Sequence, residues 1–336
     1  MAAARESADF ISRAEQTNVG PHTVDQFRAD IQRIVTTYPN RPVAPTFVEV
    51  KHLRDRAFVL LDGRQYPDQT RDLYLIAGVL CGILANASFD LGHLSAAETQ
   101  ARTARLCAEL AGHHWLLSWV VGTQSLIAYW DDRPADAVAL ARSAQDYTPE
   151  SGTSGIRLAA LEARAHARMR NAAAADEALR RADHAREQVC GDDEIGGMLI
   201  FPEAKQSFYA ATCQLWLGGG DERRYREAER LAAAAVGWYE ATPPERRRIG
   251  EQCLAMLDLA AARLARGELD GTADVVQAVL SLGARRRTDS VARRLGHLGS
   301  QLARPAYANS PLALSVREEI DAFCRTPANL ALEGRE

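Results

Sequence analysis

The stretch Asp131-Asp132-Arg133-Pro134-Ala135-Asp136-Ala137, with Ala141 one turn further on, decides the fold. It couples a run of helix breakers to small residues at helical spacing, the pattern of a turn followed by a second helix that packs closely on the first. The same grammar recurs along the chain. Gly92-His93 is followed by Leu94-Ser95-Ala96-Ala97 and then Ala101 and Ala104, and Arg170-Asn171 by four alanines with Leu179 and Ala182. Gly218-Gly219-Gly220-Asp221 is followed by Tyr225-Arg226-Glu227-Ala228 with Leu231 and Ala235, while Leu269-Asp270-Gly271 after Gly267-Glu268 is the weakest match. Successive breakers lie about 40, 38, 48 and 49 residues apart, the size of one helical hairpin rather than of one domain.

Outward from these turns, Ala, Leu and aromatic residues keep a helical period from about residue 3 to residue 324, so the fold class is all-α. Five hairpins are expected at roughly 71–112, 113–149, 151–189, 201–242 and 246–283. Three more helices are expected upstream, at about 3–17, 22–38 and 45–62, and two downstream, at about 289–303 and 310–324. The terminal helices would cap the stack, because each repeat buries its faces only against neighbours. The chain divides accordingly into N-terminal helices (1–70), repeats (71–283), C-terminal capping helices (284–325) and a flexible tail (326–336). Hairpins longer than the tetratricopeptide unit of about 34 residues make this a long-helix variant of a right-handed, tetratricopeptide-like α-solenoid.

Composition narrows the function classes. Of 336 residues, 47% are apolar and 25% charged, too apolar for a disordered chain. With 40 basic against 44 acidic side chains the formal charge is -4, so no whole-chain field draws the protein to nucleic acid or to an anionic membrane. Six dispersed cysteines without a Cys-x-x-Cys read as small buried hydrophobes in a reducing compartment. The N-terminus lacks the apolar run of a signal peptide, and no apolar run approaches the length of about 18 residues that a membrane span needs, so a cytoplasmic location is expected.

Arg64-Gln65-Tyr66-Pro67-Asp68-Gln69-Thr70-Arg71-Asp72-Leu73-Tyr74, continued by Ala85-Asn86-Ala87-Ser88-Phe89-Asp90-Leu91-Gly92, resembles the C-terminal tetratricopeptide region of actinobacterial helix-turn-helix transcriptional regulators. The resemblance runs on through Ser125 to Trp130, Ala160 to Ala165, and Phe201-Pro202 with Gln206 and Tyr209, and covers nearly the whole chain. It implies a regulatory module that responds to a ligand and, since such regulators commonly pair, a homodimer through the terminal helices. It also implies a preceding DNA-binding domain, which no segment here fits. A helix-turn-helix needs a tight turn and a basic recognition helix, whereas Val24 to Tyr38 sets Asp25 and Asp30 against Arg28 and Arg33. Nucleic-acid binding by this chain alone is therefore not expected.

In a tetratricopeptide hairpin the first helix lines the concave surface at positions three to four residues apart. Counting back from each turn selects Val79, Gly82, Asn86 and Phe89, then Trp119, Gly122, Leu126 and Tyr129, then Arg157, Ala160, Arg164 and Ala167, then Lys205, Phe208, Thr212 and Leu215. The fifth set, Leu254, Leu257, Ala261 and Leu264, is apolar and is expected to pack on the capping helices. Arg71, Tyr74 and Tyr209 join the groove candidates. Asn86 can hold a backbone amide, and Arg157, Arg164 and Lys205 can meet a carboxylate or phosphate, which suits a peptide, a protein segment or a small acidic metabolite. The plain alternative has the aromatics in the inter-repeat core and the arginines paired with Glu162 or Asp183.

Other features weigh less. Asp72 suits the start of a helix better than a site. His113 and His114 are adjacent and point about 100° apart, so they cannot chelate one metal together. Glu162 and His166 share a face without further ligands, and no metal is expected. No P-loop, dinucleotide or nucleophile-elbow motif occurs, so no cofactor and no catalytic residue is assigned. The runs Arg246 to Arg248 and Arg285 to Arg287, with Arg293 and Arg294, read as solvated helix faces. The leading expectation is a ligand- or peptide-binding sensor. The alternatives are an interaction scaffold, or an enzyme of specialised metabolism using Tyr129, Glu162, Arg164 and Tyr209 in a pocket closed on several sides.

Overall fold

The computed structural model describes residues 2–148 and 151–325. They form fifteen α-helices, beginning with α1 (Ala2–Ala14), α2 (Thr23–Thr37) and α3 (Val43–Leu61). Five pairs follow: α4 (Pro67–Asp90) with α5 (Leu94–Ala111), α6 (His114–Trp130) with α7 (Pro134–Ser143), α8 (Ser154–Arg168) with α9 (Ala172–Glu187), α10 (Glu203–Gly218) with α11 (Glu222–Ala241), and α12 (Ile249–Ala265) with α13 (Leu269–Gly283). Helices α14 (Asp289–Leu302) and α15 (Pro311–Cys324) complete the order. Sequential helices pack as antiparallel pairs, an arrangement consistent with a helical repeat. The expected helices agree with these bounds to within a few residues, and the only strand-like feature among the described residues is an isolated bridge between Ser151 and Cys190. The expected tail, 326–336, lies outside the described residues.

The hairpin turns share one geometry. In four of the five, the residue immediately after the left-handed position closes the helix with a 6→1 hydrogen bond: His93 N to Ser88 O, Arg133 N to Ala128 O, Asn171 N to His166 O and Glu268 N to Arg263 O, all at 2.9–3.0 Å. The left-handed residue is Gly92 (φ +85°) and Gly267 (φ +82°) in two of these, but Asp132 (φ +59°) and Arg170 (φ +60°) in the others. A side chain there costs about 1–2 kcal/mol. That strain persists because the packed helices on either side leave the turn no other path.

Small residues set the distance within each pair. Ala97, Ala101 and Ala104 of α5, Ala175, Ala178 and Ala182 of α9, and Ala228, Ala232 and Ala235 of α11 are all fully buried. First helices touch one another in the order α4, α6, α8, α10, α12, and glycines make two of these approaches possible. A Cβ on Gly82 would lie 2.8 Å from the Trp119 ring, and one on Gly122 would lie 2.7 Å from Arg157 Nη1. Gly82, Gly122 and the buried Val79 are therefore packing positions between first helices and do not face open space.

Two sequence expectations change here. Helix α4 contains an 18-residue stretch long and apolar enough to cross a membrane, contrary to the expectation that none exists, yet 78% of it is buried inside this helical array. The arginine runs are solvated faces only in part, since Arg246, Arg285 and Arg293 are exposed but several of their neighbours are bonded into the fold. Arg247 donates to Thr242 O and Glu240 O, Arg248 to Gly197 O and Glu251, Arg287 to Phe323 O, Arg293 to Trp130 O, and Arg294 pairs with the buried Asp258. Arg286 reaches furthest, to Tyr38 O, Arg41 O and Asp90. These bonds fasten the C-terminal part of the chain to its beginning, so α14 touches α4 and the turn Tyr38–Asn40 touches α12. Of the six cysteines, Cys81, Cys107, Cys213 and Cys253 are buried as expected, whereas Cys190 and Cys324 are exposed.

Candidate functional site

Where the two ends of the array meet there is a cavity of about 100 Å³. All five first helices contribute to its wall: Asn86, Phe89 and Asp90 from α4, Leu126 and Trp130 from α6, Arg164 from α8, Lys205, Phe208 and Tyr209 from α10, and Glu251 and Leu254 from α12. The remaining wall comes from Tyr38, Met198, Arg248 and the closing segment with Arg286, Thr288 and Ser290. In place of the expected open groove there is a partly open pocket, bounded where the Tyr38 turn and the segment around Arg286 meet the first helices.

Four cations and two carboxylates line this pocket. Glu251 accepts from Lys205 Nζ at 2.7 Å, from Arg248 Nη1 at 3.0 Å and from the Tyr239 hydroxyl at 3.0 Å. Burial alone would raise its pKa, but Arg248 and Lys205 more than offset this and hold the carboxyl down at about 2. Asp90 accepts from Arg286 Nη2 at 2.9 Å and from the Tyr38 hydroxyl at 2.8 Å, and Asn86 Nδ2 lies 3.3 Å from the same oxygen. Here burial dominates over Arg286, so Asp90 stays above the ordinary carboxylate range.

Arg164 differs from the other three cations. It is 3% exposed, its Nε has no hydrogen-bond partner, and it forms no ion pair among the described residues. Its guanidinium carbon sits 4.0 Å from the centroid of the Tyr209 ring and 4.4 Å from that of Tyr129. Burial would lower its pKa, but the two tyrosines, with a hydrogen bond to Tyr129, hold it above the ordinary arginine value, while no carboxylate meets the cation and Nε stays unpartnered. Arg157, another buried arginine on the same helix, shows the contrast: its Nη1 donates to Trp119 O at 2.6 Å and its Nη2 to Thr123 Oγ1 at 3.0 Å. Burial without a carboxylate lowers the pKa of Arg157 to about 10.

Of the residues singled out from sequence, Asn86, Phe89, Arg164, Lys205, Phe208 and Tyr209 meet at this pocket. Six others do not line it. Arg71 is on an exposed turn beside Asp68, because α4 begins at Pro67, four residues earlier than expected. Asp72 consequently lies past the first turn and pairs with Arg28 at 3.1 Å. Tyr74 packs at the edge of the N-terminal core, and Trp119 is buried in that core under Gly82. Arg157 is committed to α6 as described, and the Thr212 hydroxyl donates to Asp258 at 2.5 Å in the interior. Tyr129 stands behind Arg164 and accepts from Trp216 Nε1 at 2.9 Å.

The four groups considered for catalysis are split. Arg164 and Tyr209 reach the pocket, but Glu162 is buried under Arg142 at 2.8 Å and Arg181 at 2.7 Å on another side of α8. His113 is the N-cap of α6, with Nδ1 accepting from Leu116 N, and His114 packs edge-on against Tyr147. Among the described residues no group of three His, Cys, Asp or Glu is arranged to hold a metal ion.

Sequence reasoning missed Tyr38, Asp90, Arg248, Glu251 and Arg286 as pocket residues, and Leu254, expected to pack on the capping helices, lines the pocket instead. A signal existed for two of them. Asp90 follows Asn86 by four residues on the same helical face, and Glu251 is an acid at the head of a mostly apolar helix. Arg286 had none, since its partners lie some two hundred residues away.

No model of a known protein family matches the sequence, and no curated protein matches it.

Proposed function

We propose that the chain is a ligand-binding regulatory module of the tetratricopeptide type, with the pocket at the closure of the helical array as its sensing site. The observation that carries this reading is the composition of the wall: every first helix contributes, and so does the segment around Arg286 that ties the two ends together. A molecule seated there touches both sides of the closure at once, so its binding energy bears on the curvature of the whole array. The resemblance to the C-terminal region of helix-turn-helix regulators supports the same role, with the DNA-contacting function supplied elsewhere. A partly open pocket of only about 100 Å³ favours a small molecule over an extended peptide among the ligands considered.

Native mass spectrometry of the protein purified from its own host tests the proposal. Wild type is compared with Leu126→Trp, which fills the pocket and leaves every charged wall residue in place. A small molecule carried by the wild type and absent from the variant is the expected result. A protein partner retained equally by both would instead favour a constitutive scaffold.

A further inference from the structure

We infer that the pocket takes a small organic carboxylate, anchored on Arg164, with the uncharged part of the molecule against Phe89, Leu126, Trp130 and Leu254. This rests on the ligand-binding reading above and gives that ligand a chemical class.

Burying a guanidinium N–H without an acceptor is costly, and native proteins seldom leave such groups unmatched. Each of the other pocket cations has its acceptor: Lys205 and Arg248 on Glu251, Arg286 on Asp90 and two backbone carbonyls. Arg157 solves the same problem on the same helix with Trp119 O and Thr123. Arg164 alone among them is held at the pocket wall with Nε unsatisfied, and the tyrosines on it provide no carboxylate. A carboxylate matches what is missing, because a guanidinium presents its N–H groups in a fork that fits two carboxylate oxygens.

Charge and shape agree. With four cations against two carboxylates the pocket carries an excess of positive charge. Two of the cations share one acid, so the pocket stays positive even where it is paired. Aromatic and leucine side chains make up much of the remaining wall. They would contribute little to a hydrated inorganic ion but would bury the body of an organic acid. A cavity of about 100 Å³ accommodates several water-sized groups, which suits a compact acid.

Isothermal titration with benzoate and hexanoate as probes, with benzamide and inorganic phosphate alongside, tests the assignment on the full chain. At least one of the two acids should bind wild type, benzamide should bind at least tenfold more weakly, and Arg164→Met should lose at least tenfold in affinity for the acid. Leu126→Trp, which keeps Arg164, should also abolish binding, and each variant's cooperative melting shows that it is folded. Benzamide binding as well as benzoate, unchanged affinity in a folded Arg164→Met, or no acid binding at millimolar concentration would each overturn the assignment. Tighter binding of phosphate than of either acid would overturn the organic part of it. A neutral molecule that co-purifies with wild type and is lost from Leu126→Trp would sink the carboxylate while leaving the sensor intact, which separates the two failures.

Discussion

Arg286 donates to Asp90 at 2.9 Å across 196 residues of sequence, and the same guanidinium stacks on the Tyr38 ring at 4.6 Å. The pair joins the closing segment to the first hairpin and forms part of the pocket wall. Its removal therefore bears on stability and on ligand response together.

Arg286→Ala leaves Asp90 buried without its cation and should cost about 3 kcal/mol, as is usual when one partner of a buried pair is removed. Urea unfolding measures the loss. Hydrogen exchange should show faster exchange at residues 286–290 and at Tyr38 than elsewhere. Uniform exchange at those positions would mean that Arg286 does not fasten the ends.

Glu251 sets an acid limb. Its pKa falls from 4.5 to about 2 on folding, so it contributes stability fully present above pH 4.5 and lost as the pH falls towards 2. The size is about 3 kcal/mol at 1.36 kcal/mol per pKa unit. Asp90 has the opposite sign: its folded pKa is raised, so its protonation favours the folded state as the pH falls. Glu251→Gln should be less stable at pH 7 and should flatten the fall in stability between pH 4.5 and 2. A wild-type acid limb retained by Glu251→Gln would assign it to other carboxylates.

Arg164 and Arg157 should respond differently to the same substitution. Arg157→Met removes a cation that satisfies Trp119 O and Thr123, and should cost about 2 kcal/mol. Arg164→Met removes a buried charge that has no carboxylate partner and an unpartnered Nε, and should leave the ligand-free melting temperature unchanged or higher. Differential scanning calorimetry of the two variants checks the contrast. A larger loss for Arg164→Met would make that residue a structural tie.

The hairpin turns offer a test of backbone strain. Gly92 sits at φ +85° with Asp289 Oδ1 3.0 Å from where a Cβ would be, so Gly92→Ala should destabilise by about 1–2 kcal/mol. Asp132 occupies the equivalent place at φ +59°, and it pairs with Arg168 from the solvent side, its own side chain being exposed. Asp132→Gly should therefore gain about 0.5 kcal/mol, the relieved strain less the entropy of the new glycine. Equal effects of the two changes would show that the turns are not equivalent.

Helices and turns were legible in the sequence because their signals are local. A glycine or a charged breaker, followed by alanines at helical spacing, states where a helix ends and how closely the next one packs, and the turns at Gly92, Asp132, Arg170 and Gly267 share one hydrogen bond as a result. Counting back from the hairpin turns, including the one at Gly218, also selected Asn86, Phe89, Arg164 and Lys205 at the pocket. The count could not separate Arg164 from Arg157. Both are arginines on one face of α8, and only the packing of α6 gives one of them a carbonyl and a hydroxyl while leaving the other with two rings. Nor could it turn Arg286 from a member of a charged run into the clasp on Asp90, or show that the array closes into a pocket. A residue's sequence neighbours set its helix and its face, but its charge partner is set by which distant segment arrives beside it. In this protein the hairpins were determined by the sequence itself, and the site by the meeting of the segment around Arg286 with Tyr38 and the first hairpin.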